Sequence, residues 1–306
     1  MYVISLDIGG TKIEGAVVDE KGKIVLNKRI ATEAGKGRKH VLRNIFLVIE
    51  YLKNNFNKKI CGVGIAIPGF VSVQGKMIFC GGTLTFLKDI NLKSVVARKT
   101  HLPVFVENDA NCFALAEAYY GAGKNKNIVI GVIWGTGIGG GVIINKNIYS
   151  GAQGGAGEFG HIIIDPNVKK GHRCGCGQYG CLENLCSGKN ISRLYKEGGG
   201  KIHNANPRQI YFSKEKVAKD VIDKAIFYLG LGLSMLVQNF NPDIIVIGAG
   251  VSQLPSPVYK RLRAVVKKYS LLTLTKNLKI VRYAISEDAG VVGAAALAFS
   301  SLNKIK

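Results

Sequence analysis

The sequence predicts an α/β protein of two domains, each built on the same βββαβα unit, and three observations carry that expectation. A strand, a glycine turn and a small-residue strand occur twice: residues 2–8, Gly9-Gly10-Thr11 and 15–19, then residues 128–134, 135–140 and 141–144. A lysine-bearing turn closes each copy, Glu20-Lys21-Gly22 in the first and Asn145-Lys146-Asn147 in the second. A chain of 306 residues with 47% hydrophobic content is long enough for two medium domains with cores of their own.

In the first copy a third strand is expected at 23–27. Apolar residues at Val41, Ile45, Val48, Ile49 and Leu52 then recur at the helical period over Arg38–Asn54. A buried strand at 62–67 stops at Pro68-Gly69, another strand follows at 104–106, and Asn108 or Asp109 caps a helix running through Tyr120. The second copy continues with an apolar helix at 217–239, a strand at 243–247 ending in Gly248-Ala249-Gly250, and a final helix at 290–300. Residues 151–188 are glycine-rich and aperiodic, as in an ordered functional loop. The expected domains are 1–117 with the C-terminal helix 289–306, and 118–288 with a metal-binding loop at 157–188.

No basic leader and no run of eighteen apolar residues is present, so a soluble, cytoplasmic protein without a membrane partner is expected. The net charge of +22 would suit a polyanionic partner. Its lysines and arginines are scattered rather than gathered on a basic helix or tail, so a solvated basic surface is expected and a nucleic-acid partner is not. Of seven cysteines, Cys174, Cys176 and Cys181 fall within eight residues, which points to a local metal or redox cluster. The other four read as small buried hydrophobes.

Three glycine turns end predicted strands: Asp7-Ile8-Gly9-Gly10-Thr11, then Gly135-Thr136-Gly137-Ile138-Gly139-Gly140, and Gly248-Ala249-Gly250. Each could be only a tight hairpin. Together, with two of them in matching places of a duplicated unit, they point to backbone N–H groups that surround phosphate. A dinucleotide fold is excluded for the middle run because a strand, not a crossover helix, follows it. Asp7, an acid ending an apolar strand, needs a cationic partner, which a magnesium ion held with nucleotide phosphates would supply. Lys12 either neutralises phosphate or is a solvated turn lysine.

The segments Asp7 to Lys12, Glu107-Asn108-Asp109-Ala110-Asn111, Gly135 to Gly141, Glu158-Phe159-Gly160-His161, Cys174-Gly175-Cys176-Gly177 and Gly180-Cys181-Leu182-Glu183 together resemble the ROK family of sugar kinases and repressors. The likeness spans nearly the whole chain. It implies a two-domain actin-like ATPase (ribonuclease H-like) fold, ATP and Mg2+ as cofactors, and Asp109 as catalytic base. It also implies Gly69, Asn108, Glu158, His161 and Glu183 as sugar ligands. Phosphate would meet Asp7, Gly9, Gly10, Thr11, Lys12, Gly135, Thr136, Gly137, Gly139, Gly248 and Gly250. His161, Cys174, Cys176 and Cys181 would hold a structural Zn2+, with redox chemistry as the competing account and His172 as a rival ligand. Homodimers are common in the family. Residues 108–115 and 180–184 look closest to bacterial N-acetylglucosamine kinases, which make the 6-phosphate, and glucokinases, broad-range hexokinases and fructokinases share much of the pattern. A C2 N-acetyl pocket would draw on Gly69, Phe70 and residues 81–87. Family repressors carry a DNA-binding helix-turn-helix ahead of the first strand, and here that strand begins at residue 2, so a kinase is expected over a sugar-sensing regulator.

Overall fold

Alternation along the first strand decides what each of its side chains meets. In a computed structural model, which describes residues 1–72, 74–80, 82–168, 172–285 and 288–305, the chain opens with β1 (Tyr2–Ile8), β2 (Lys12–Asp19) and β3 (Ile24–Ala31). Ile4, Leu6 and Ile8 of β1 join the core under helix α1 (Arg38–Asn54), with Val41, Ile45, Val48, Ile49 and Leu52. That is the apolar stripe the sequence marks. Strand β4 (Ile60–Ile67) follows, then a small hairpin of β5 (Phe70–Val71) and β6 (Met77–Phe79), and helix α2 (Leu92–Thr100). The last three are too short, or too weakly periodic, for the sequence pattern to have marked them. Strand β7 (Val104–Asn108) runs directly into α3 (Asp109–Tyr119).

The second copy brings β8 (Ile128–Trp134), β9 (Ile138–Ile144) and β10 (Asn147–Ile148). After the glycine-rich loop come α4 (Leu182–Cys186), α5 (Gly188–Glu197), α6 (Pro207–Phe212) and α7 (Lys216–Phe240). Strand β11 (Ile244–Gly248), helices α8 (Ser256–Tyr269) and α9 (Leu272–Thr275), strand β12 (Lys279–Arg282) and helix α10 (Ala289–Ile305) complete the order. The sheets have matching orders, β3-β2-β1-β4-β7 and β10-β9-β8-β11-β12. In each, the later strands join in parallel, β1 to β4 to β7 and β8 to β11 to β12. The duplication expected from the sequence is therefore present in the topology.

The chain divides into two compact units, residues 1–125 with 141–156 and 284–306, and residues 126–140 with 157–283. The first extends past the expected boundary at 117 and gains 141–156, expected in the second domain. The reason is close packing on α3: a Cβ placed on Gly141 would stand 2.8 Å from the Asn111 Cα. In the first unit α10 covers the sheet face opposite α1, its Val291, Ala295, Ala298 and Phe299 packing with Val3, Ala16 and Val18. The approach is closest at β4, where a Cβ on Gly64 would come within 1.8 Å of the Ala294 carbonyl oxygen. Glu117 of α3, fully buried, accepts hydrogen bonds from the N–H groups of Ala122, Ala284 and Ile285, which fixes the chain where it returns to this unit. Among the described residues no helix is long and apolar enough to cross a membrane.

Candidate functional site

In the first unit the alternation that buries Leu6 and Ile8 under α1 turns Asp7 to the other face, where α10 packs. A Cβ on Gly290 of α10 would lie 2.4 Å from Asp7 Oδ2. Burial, reinforced by the negative charge of Asp109, pushes the Asp7 carboxyl up to about 6, against a smaller opposing pull from Lys12. The charge of Asp109 thus reaches Asp7, and a divalent cation held by the Asp7 carboxylate would relieve that repulsion. The following turn is fixed by the Gly9 N–H donating to the Lys12 carbonyl (2.9 Å) and by Thr32 Oγ1 donating to the Gly9 carbonyl (2.6 Å). Lys12 itself reaches Glu14 (2.9 Å), which also takes Arg29 (2.8 Å). Its ammonium would have to leave that carboxylate to meet a phosphate.

Local hydrogen bonds show which residue caps the helix after β7. Asn108 is the cap of α3, its side-chain oxygen accepting from the N–H of Ala110 and of Asn111. Its Nδ2 donates to the Gly69 carbonyl at 3.0 Å, so two of the expected sugar residues are held together. Asp109 occupies the first helical position, and its Oδ1 accepts from the adjacent Ala110 N–H at 3.0 Å. Desolvation raises its carboxyl above the usual range, although the helix amides pull the other way. Glu107, marked in the sequence only as part of a motif, accepts from the Asn108 N–H (2.7 Å) and Asn111 Nδ2 (3.1 Å). Burial holds its carboxyl high as well.

In the second unit, Gly135, Thr136 and Gly250 line one cavity of about 600 Å3 with Lys189, Ser192, Asn206 and Arg208. The lysine, serine and arginine come from α5 and α6, whose chemistry no glycine turn announces. Gly137 stands beside Glu183, Gly139 lies inside β9, and Gly248 is the last residue of β11, so none of these three lines the cavity. The Ile138 N–H donates to Glu183 Oε2 (2.9 Å), tying that carboxylate to the middle turn. Glu158 precedes and His161 ends a short 3-10 turn, with Nε2 of His161 3.7 Å from Glu158 Oε2.

His161, Cys174, Cys176 and Cys181 place four donor atoms within 4.8 Å of one another. Nδ1 of His161 is 3.5 Å from the Cys174 sulfur, and the Cys176 and Cys181 sulfurs are 3.6 Å apart. Metal–sulfur bonds of about 2.3 Å give a tetrahedron edge of about 3.8 Å, so the set fits a closed zinc centre with one nitrogen and three sulfurs. His172, the rival ligand, pairs instead with Glu197 at 2.7 Å. Residues 169–171 of this loop, and Gly81 of the segment expected near a sugar C2 group, lie outside the described residues. Of the remaining cysteines, Cys80, Cys112 and Cys186 are buried as expected, whereas Cys61 is only half-buried.

A repeated five-stranded sheet, an acid ending its first strand and a His/Cys3 cluster define a class in which the comparisons agree. The ROK family profile matches residues 3–301, and the chain belongs to the ROK family. It is 31% identical over 312 residues to a glucokinase of Thermotoga maritima, covering 97% of both chains. It is 29% identical to a xylose repressor of Caldicellulosiruptor bescii, over 98% of this chain and 78% of the repressor. The crystal structure of a ROK family glucokinase from Streptomyces griseus, in complex with glucose and AMPPNP, superposes with a TM-score of 0.80 at 30% identity, covering 98% of this chain and all of that one.

Proposed function

We propose that this protein transfers the terminal phosphoryl group of ATP to a hydroxyl of a hexose. The observation that carries the reading is Asp109: a buried carboxylate at the first position of α3, where Asn108 and not Asp109 is the cap, held high by desolvation and close enough for its charge to raise Asp7. In the first unit, Asp109 would accept the hydroxyl proton as oxygen attacks phosphorus, while Asn108 and the Gly69 backbone orient the sugar. Asp7 would hold Mg2+, which when bound neutralises charge on the transferring phosphate. In the second unit, the cavity lined by Gly135, Thr136, Gly250, Lys189 and Arg208 would take the nucleotide. Glu158, His161 and Glu183 would meet sugar hydroxyls, with His161 steadied through its other nitrogen by a structural Zn2+.

Glucose and N-acetylglucosamine are the two leading acceptors, with the 6-hydroxyl as the site of transfer. The motif at 180–184 favours the amino sugar, and the glucokinases among the relatives favour glucose. The relation to a xylose repressor supports a second reading, a sugar-binding regulator without turnover. Incubation with ATP, Mg2+ and a panel of hexoses separates them: ADP release dependent on one sugar is expected, and silence across the panel leaves the regulator. Asp109→Ala should lower kcat by at least about 100-fold with the fold retained by circular dichroism. Near-normal turnover in that variant would remove Asp109 as base.

A further inference from the structure

A cavity of about 340 Å3 in the first unit is left unused by the proposed reaction. Its wall is formed by β7, α10, the β9–β10 turn and the segment after β5, with Lys93, Lys304, Ser72, Ser150 and Glu107 among the lining residues. Lys93 and Lys304 form no ion pair among the described residues, in contrast with Lys76 and Lys99, which reach Asp89 and Glu50. Lys146, the third lysine at this cavity, is already committed, its ammonium donating to the carbonyls of Ala118 and Lys124. Two uncommitted cations on a concave, partly apolar wall suit one anionic group.

The floor has different chemistry. Ser150 Oγ stands 3.5 Å from Glu107 Oε2, a long contact that leaves that oxygen able to accept from a better donor. Hydroxyls of a ligand are such donors, and the serine hydroxyls can answer as donors or acceptors. We propose that this cavity binds a small monophosphorylated polyol, its phosphate on Lys93 and Lys304 and its hydroxyls on Glu107 and Ser150.

Occupancy would be felt at α3. Glu107 Oε1 accepts from the Asn108 N–H and Asn111 Nδ2, so a ligand that draws the Glu107 carboxylate toward the cavity loosens the grip on the first turn of the helix that carries Asp109. The inference rests on the kinase reading only for its consequence, because a hexose phosphate product belongs to the ligand class the cavity selects. Binding then lowers turnover without competing with the hexose.

Glucose 6-phosphate is the probe. Calorimetry on the full chain saturated with glucose should record its binding, and the double variant Lys93→Gln/Lys304→Gln should weaken that binding at least tenfold with a normal unfolding profile. In turnover assays the wild type should show inhibition noncompetitive with hexose, and the double variant should keep its basal kcat and KM while losing the inhibition. Binding that vanishes under saturating glucose, or that the double variant retains at full strength, overturns the site. Because calorimetry needs no turnover, an inactive protein that still binds the probe through these lysines defeats the kinase reading and leaves the site standing.

Discussion

Asp7 sits on the face of β1 that α10 covers, and burial and the charge of Asp109 together push its carboxyl up to about 6. An unfolded aspartate ionises near 3.8, so between these values the folded state binds more protons than the unfolded one. The metal-free protein therefore loses stability as pH rises from about 4 to 6, and above that the full penalty remains. Asp7→Asn should raise the unfolding free energy at pH 7.5 by about 1–3 kcal/mol, the gain shrinking to nothing below about pH 4. Mg-ATP turnover should fall in the same variant. Thermal melts across that pH range check the sign, and a destabilised variant at pH 7.5 would refute the account. Asp7 and Asp109 stand out in the sequence because each interrupts a strongly patterned neighbour, an apolar strand in one case and a cap sequence in the other. Glu107 does not, since its partners Asn111 and Ser150 meet it only through folding. Glu117 resembles an active-site acid in its burial and raised pKa, yet its three backbone donors make it a structural clamp.

At the scale of elements, the cysteine loop and α10 make opposite demands. The loop has few apolar residues to bury, so its order should depend on the ion that His161, Cys174, Cys176 and Cys181 fit. Cys176→Ser should lower zinc to well below one ion per chain by elemental analysis and weaken hexose affinity, because His161 and Glu158 lose their support. Unchanged zinc content would dispose of the ligand set. Helix α10 instead depends on space. Gly64→Ala would drive a methyl group into the Ala294 carbonyl, and backbone cannot step aside as a side chain can. A loss of about 1–3 kcal/mol in denaturant unfolding is expected, and a neutral result would mean the helix sits farther from β4. Helix α1 was legible from its apolar spacing, α3 from its Asn-Asp cap and α7 from its long apolar run. The β5–β6 hairpin and α2 were not, because two- and three-residue strands and a nine-residue helix of weak amphipathicity draw their stability from tertiary contacts.

For the whole molecule, the duplicated topology was visible in paired glycine turns and the return of the C-terminal helix to the first unit was expected, but the place of residues 141–156 was not. Residues 141–156 join the first unit because small residues of β9 let it approach α3, a three-dimensional fact with no one-dimensional mark. Net charge acts at this scale too. A surplus of +22 spread over the surface repels itself in the compact state. Raising NaCl from about 20 to 300 mM shortens the screening length and should raise the Tm, whereas a falling Tm would show that ion pairs outweigh the repulsion. The position of α10 in the chain has a bearing on biosynthesis. One face of the first sheet waits for residues 284–306, which leave the ribosome only after the entire second unit has been made. Until then the nascent chain carries a bare apolar surface over Val3, Ala16 and Val18, so the first unit reaches its native state last, and chaperone demand during translation should be set by that delay.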